Sequence, residues 1–271
     1  MEKTKEHVHL IGAVIAFLLL AFYFVIYLYD EATKPKLNYR NCFSKEHMPK
    51  SHAFIFDITD PIDNQYIDSV VETALKHLEK VGKGEQVSIF AFTDSTEHSS
   101  APVKVMCSLG TMGSLSEHRV VAINNYKNKI EPQFRQAITD ILKKIKERPH
   151  SPILESLAEI AASADFQVGQ STVVHIFSDM RQNSDKGLYQ QRAVKLVKRS
   201  ELQLKQFEEQ AKHYLADFDR GINLDVHLHF VAIKKPGGAN PDQLRVAWRA
   251  AFEHIGATTY WSTVAPNSTK L

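Results

Sequence analysis

The sequence predicts an α/β fold: a doubly wound, mostly parallel sheet preceded by a single N-terminal transmembrane helix. Three observations predict it. Short apolar runs alternate along the chain with stretches whose apolar residues recur at helical spacing. The short runs are dominated by apolar residues, a buried-strand signature. Residues 10–29, finally, carry no charge.

That uncharged segment, LIGAVIAFLLLAFYFVIYLY, is 20 residues long. At about 1.5 Å per residue it matches a hydrocarbon core of roughly 30 Å. Tyr23, Tyr27 and Tyr29 fall in its second half, where amphipathic rings meet headgroups. The aromatic residues also stand where a cleaved signal peptide needs small ones. A 1–9 tail, a 10–29 transmembrane helix, a 30–50 polar connector and a 51–271 domain are the expected parts. Lys34, Lys36, Arg40, Lys45 and Lys50 outnumber Lys3 and Lys5. By the positive-inside rule this favours a single-pass membrane protein with its soluble domain on the cytoplasmic side. Cys42 and Cys107 read as unpaired thiols, which suits a reducing compartment.

Within the domain, HAFIFD (52–57) is the first strand, an apolar run that ends in an acid. Ile67, Val70, Val71, Ala74, Leu75 and Leu78 follow at helical spacing. VSIFAFT (87–93) is the next strand and 103–109 a short edge strand. Phe134, Ile138, Ile141, Leu142 and Ile145 form a helical stripe that Pro149 should end. A helix over 153–166 precedes the strand TVVHIF (172–177). A long helical stretch over 187–218, the strand DVHLHFVAI (225–233), a helix over 242–255 stopped by Gly256, and a last strand at 258–261 complete the domain.

Composition removes several function classes. Lys plus Arg is 33 and Asp plus Glu is 31, a net charge of +2. No basic excess is available for a phosphate backbone, so no nucleic-acid partner is expected. Two cysteines build neither a disulfide framework nor a four-cysteine zinc site.

In a doubly wound sheet, ligands bind beyond the carboxyl ends of the strands. Three loops there are rich in oxygen donors: Asp57-Ile58-Thr59-Asp60-Pro61, His150-Ser151-Pro152, and Phe177-Ser178-Asp179-Met180. Carboxylates with hydroxyls are hard ligands suited to Mg²⁺ or Mn²⁺. For Asp57, Thr59 and Ser151 the simpler alternative is a helix cap or turn.

The order and setting of these loops resemble the von Willebrand factor A domain family with its metal-ion-dependent adhesion site. Asp57 and Thr59 match the first two positions of that family's Asp-x-Ser-x-Ser loop. Ser151 matches the second-loop hydroxyl and Asp179 the third-loop acid. The resemblance implies a metal held by Asp57, Thr59, Ser151 and Asp179, with Asp60, Asp63 and Ser178 as auxiliaries. It also implies that an acidic residue of a partner protein fills an open position on the ion. Pro61 departs from the pattern, because the family has Ser there.

The expected function is therefore a membrane-anchored binding module, not an enzyme, mediating divalent-metal-assisted protein–protein interaction in a larger assembly. The alternative is a metal-free scaffold that kept the fold and lost the site. A further alternative is a Mg-dependent phosphohydrolase, since FIFD resembles the nucleophile strand of haloacid-dehalogenase-like phosphatases. That family expects a second acid where Thr59 stands. Besides the metal site, two other contact regions are expected: the membrane through 10–29 and a protein partner through the 187–218 helix. His227 and His229 alternate on one strand and so share a face. That spacing suits zinc, but with no third ligand apparent they read as packing residues.

Overall fold

A computed structural model describes residues 2–33, 36–38, 42–62, 64–93, 100–110, 123–146, 148, 150–166, 169–184, 201–218, 223–232 and 240–266. Asp63, Pro149 and the 187–200 part of the long helical stretch lie outside the described residues. The chain divides into two compact units after Lys36.

The first unit holds helix α1 (Glu2–Thr33). The membrane span predicted over 10–29 is corrected here. Among the described residues, no helix is long and apolar enough to cross a membrane. The transmembrane helix in the expected fold class and the single-pass, cytoplasm-facing localisation both fall with it.

The second unit is an α/β fold with a six-stranded mixed sheet. Its strands are β1 (Lys50–Asp57), β2 (Gln86–Phe92), β3 (Lys104–Cys107), β4 (Ser171–Ser178), β5 (Asn223–Val231) and β6 (Thr258–Val264). Their order across the sheet is β3-β2-β1-β4-β5-β6. All neighbouring pairs are parallel except β2 with β3. The edge run predicted over 103–109 thus returns as a short antiparallel strand.

Helices cover both faces. On one, α2 (Asn64–Leu78) and α3 (Glu131–Leu142) pack Val70, Ala74, Phe134 and Ile138 against Phe54, Phe56 and Ile89. On the other, α4 (Ile153–Ala162), α5 (Glu201–Tyr214) and α6 (Pro241–His254) pack Leu157, Phe207 and Trp248 against Ile55, Phe90, Val174 and Val226. Each strand sends alternate side chains to opposite layers, so Phe54 and Phe56 face one core while Ile55 faces the other. Helix α3 follows a π-helical turn, Tyr126–Ile130, and ends at Leu142, one turn before the predicted stripe does.

The expectation of free thiols is also corrected: Cys42 and Cys107 form a disulfide. It ties the connector to β3, a pairing that persists in oxidising surroundings. Sequence alone missed it because the partners are 65 residues apart and meet only once β3 pairs with β2. Beside it Gly84, at φ +80°, donates its N–H to the Ser108 carbonyl at 2.8 Å. A Cβ there would meet Leu37 and Phe43 at 2.6 Å, so the glycine lets the connector lie against the sheet edge.

Candidate functional site

The chain leaves β1 toward β2 in one direction and returns to β4 on the other side of β1. The switch point of the sheet therefore lies between the carboxyl ends of β1 and β4, where doubly wound folds open a crevice. Phe56 pairs with Phe177 in that register, so Asp57 and Ser178 emerge side by side.

Asp57 is 6 % exposed at the end of a buried strand, and an unmet carboxylate there is costly. Both its oxygens are met. Oδ1 accepts from the Thr59 backbone N–H at 3.0 Å and the Thr59 hydroxyl at 2.6 Å. Oδ2 accepts from the Ser178 hydroxyl at 2.7 Å and the Ser151 hydroxyl at 3.3 Å. Ser151 reaches the cluster because its loop is bonded to the loop after β4 in both directions. Its N–H donates to the Asn183 carbonyl at 2.8 Å, and the Asn183 N–H donates to its carbonyl at 2.9 Å.

Asp179, 4 % exposed, is held differently. Its Oδ1 accepts from the Arg181 N–H at 3.0 Å, an Asx turn. Among the described residues its Oδ2 makes no hydrogen bond, and the Arg181 guanidinium Nε lies 3.5 Å away as an ionic neighbour. The next residue, Met180, has φ +60°, a left-handed backbone that costs a non-glycine residue about 1–3 kcal/mol. It is pinned by its N–H on the Ser178 hydroxyl at 2.8 Å and by the Trp248 indole N–H on its carbonyl at 2.9 Å. This turn places Asp179 beside Asp57.

Asp57, Asp60, Ser178 and Asp179 line one crevice with Ile62 and Val231. The cavity inside it is about 10 Å³, room for roughly one water or one ion. Burial raises the Asp179 carboxyl well above its ordinary range, and the neighbouring Asp57 charge adds to the rise. Burial raises Asp57 too, against the bonds from Thr59 and Ser178 that lower it. Each shift favours a proton or a cation at the pair.

The structure thus brings together four predicted residues, Asp57, Thr59, Ser151 and Ser178, in one network, with Asp179 on the same crevice. Asp60 lines that crevice, while Pro61 points to solvent. Ser178, expected only as an auxiliary, makes one of the two shortest bonds to Asp57. Sequence reasoning missed the support beneath. Gln182 accepts from the Leu154 N–H at 2.8 Å, meeting a bare donor at the start of α4. It also donates to Glu155 Oε2 at 2.8 Å. The polar run after β4, Ser178 to Ser184, was the available signal.

A second polar group lies on the α2 face of the sheet. Phe54, His175, His227 and Tyr260 are register neighbours on β1, β4, β5 and β6. Their rings stack side by side at 4.6–4.7 Å. His77 of α2 lies over them, 4.3 Å from the His175 ring and 5.3 Å from the His227 ring. His175 Nδ1 is 3.2 Å from His229 Nε2, and His229 Nδ1 is 2.7 Å from the Ser262 hydroxyl. Burial lowers these imidazoles, and the mutual repulsion of their protonated forms adds to the shift, taking His77 to about 4 and His229 to about 3. At neutral pH the rings are uncharged. The spacing of His227 and His229 was legible in the sequence. Their partners on β4 and α2 were not, because those depend on sheet register and helix placement.

No family model matches the sequence, and no curated protein matches it. Solved structures show distant likeness. The PilB minor pilin from Streptococcus sanguinis is 13 % identical at a TM-score of 0.48 over 80 % of this chain. The human COPII-coat protein Sec24c is 12 % identical at 0.41 over 81 % of it. This chain spans 57 % of the pilin structure and 30 % of the Sec24c structure.

Proposed function

We propose that this domain is a protein-binding module whose switch-point crevice takes a divalent cation, Mg²⁺ or Mn²⁺. The observation that carries the reading is Asp179 Oδ2. It is a buried carboxylate oxygen without a hydrogen bond, on a crevice with room for about one ion and beside a second buried acid. The donors are all hard oxygens, as these ions require. Asp57 would act by orientation, since hydroxyls that donate to it keep lone pairs for a cation. Thr59, Ser151 and Ser178 would supply those hydroxyls and Asp179 a carboxylate. When bound, the ion supplies an open coordination position that a partner's carboxylate fills. No chemical step is assigned: both Asp57 oxygens are engaged, which suits a structural acid better than a nucleophile attacking phosphorus.

A second reading, a metal-free scaffold, is favoured by that same saturation of Asp57 and by Pro61, which offers no side-chain ligand. Calorimetric titration of the chelator-treated chain with Mn²⁺ separates the two. The module reading predicts one bound equivalent, lost in Asp179→Asn and in Asp57→Ala, and Mn²⁺-dependent retention of acidic peptides. The absence of a binding heat in the folded chain would leave the scaffold.

A further inference from the structure

We propose that His77, His175 and His227 form a separate site for a borderline-soft transition-metal ion, with Zn²⁺ as the representative. One ligand atom from each lies within 4.8 Å of the other two. The three come from α2, β4 and β5, so the site exists only in the folded sheet. It is distinct from the switch-point crevice. His175 precedes Asp179 by four residues, roughly 13 Å along a strand.

Three features separate this cluster from ordinary ring packing. The first is donor type. Three neutral imidazoles are the set that suits zinc and leaves a fourth position for water, whereas the crevice offers only hard oxygens. The second is orientation. The His175–His229–Ser262 chain engages His175 Nδ1, so Nε2 is the nitrogen left to coordinate. If His175 Nδ1–H donates to His229, and His229 Nδ1–H donates to Ser262, His175 is fixed as the Nε2 lone-pair tautomer. Hydrogen bonding of this kind behind a ligand histidine holds ring and tautomer in place. The third is access. His175 is buried, but His77 and His227 are only partly buried, so two of the three ligands stay in touch with solvent. Asp225 adds negative potential at His227, while Lys80 and His52 oppose it. Zn–N bonds of about 2.0–2.1 Å in a tetrahedral site put donors roughly 3.4 Å apart. Binding therefore draws the rings together by about an ångström, a side-chain adjustment open to the two partly buried members.

Zn²⁺ titration of the tag-free, chelator-treated full chain tests the proposal, with bound metal counted after gel filtration. One equivalent is expected. His77→Gln and His227→Gln, at partly buried positions, should each weaken it at least tenfold while circular dichroism stays unchanged. Asp179→Asn should leave it intact, which separates this site from the crevice. The absence of stoichiometric Zn²⁺ would overturn the proposal. So would retention of full affinity in both folded histidine variants, or loss of Zn²⁺ in Asp179→Asn alone.

Discussion

Asp57 and Asp179 show how differently two neighbouring buried acids can be held. Four donors surround Asp57, whereas Asp179 keeps one oxygen without a hydrogen bond. Removing a donor from the first should cost stability. Ser178→Ala takes away the 2.7 Å bond to Oδ2 and the anchor for the Met180 N–H. We expect a loss of about 1–3 kcal/mol in denaturant unfolding. Asp179→Asn should instead leave the fold intact and abolish the response to Mn²⁺. At this scale the sequence was informative, because an acid closing an apolar strand demands a partner. The residues serving as partners were less legible. Ser178 and Gln182 act through a turn whose left-handed Met180 has no sequence signature. Nothing in the spacing of Cys42 and Cys107 announced their bond.

Among the elements, helix α4 carries the clearest pH consequence. Glu155 is fully buried in its first turn, and burial raises its carboxyl above the ordinary range. A raised acid binds its proton more readily folded than unfolded. The folded chain therefore loses stability as pH rises from the unfolded value, about 4.3, through the raised one. Glu155→Gln should stabilise the domain at pH 7, and the gain should vanish below pH 4. Thermal unfolding of both proteins across that range checks it. Gly84→Ala should destabilise by about 1–3 kcal/mol, because φ +80° and contacts of 2.6 Å leave no room for a Cβ. Strands were the most legible elements: short, mostly apolar runs bounded by turn residues have few other uses. Helix ends were less so, since α3 stops at Leu142, well before Pro149. The N-terminal helix misled: its uncharged run over 10–29 suggested a span, yet among the described residues no helix is long and apolar enough to cross a membrane.

At the level of the whole molecule, two features organise the second unit: a sheet with its switch point between β1 and β4, and a disulfide fastening the connector to its edge. Closing a loop of 65 residues stabilises a chain by about 4 kcal/mol through the unfolded state. Reduction should lower the unfolding free energy by about 2–5 kcal/mol, read from urea midpoints with and without reductant. The sheet order could not be read from the sequence, but strand–helix alternation foretold that a switch point would exist and that its loops would carry the polar residues. The central claim is that this crevice holds a divalent cation, and thermal unfolding of the chelator-treated chain against added Mg²⁺ or Mn²⁺ tests it most directly. At metal equal to 100 times the dissociation constant the account predicts about 2.7 kcal/mol of added stability, absent in Asp179→Asn. An unchanged unfolding temperature in the parent chain, or an equal rise in the variant, would contradict it.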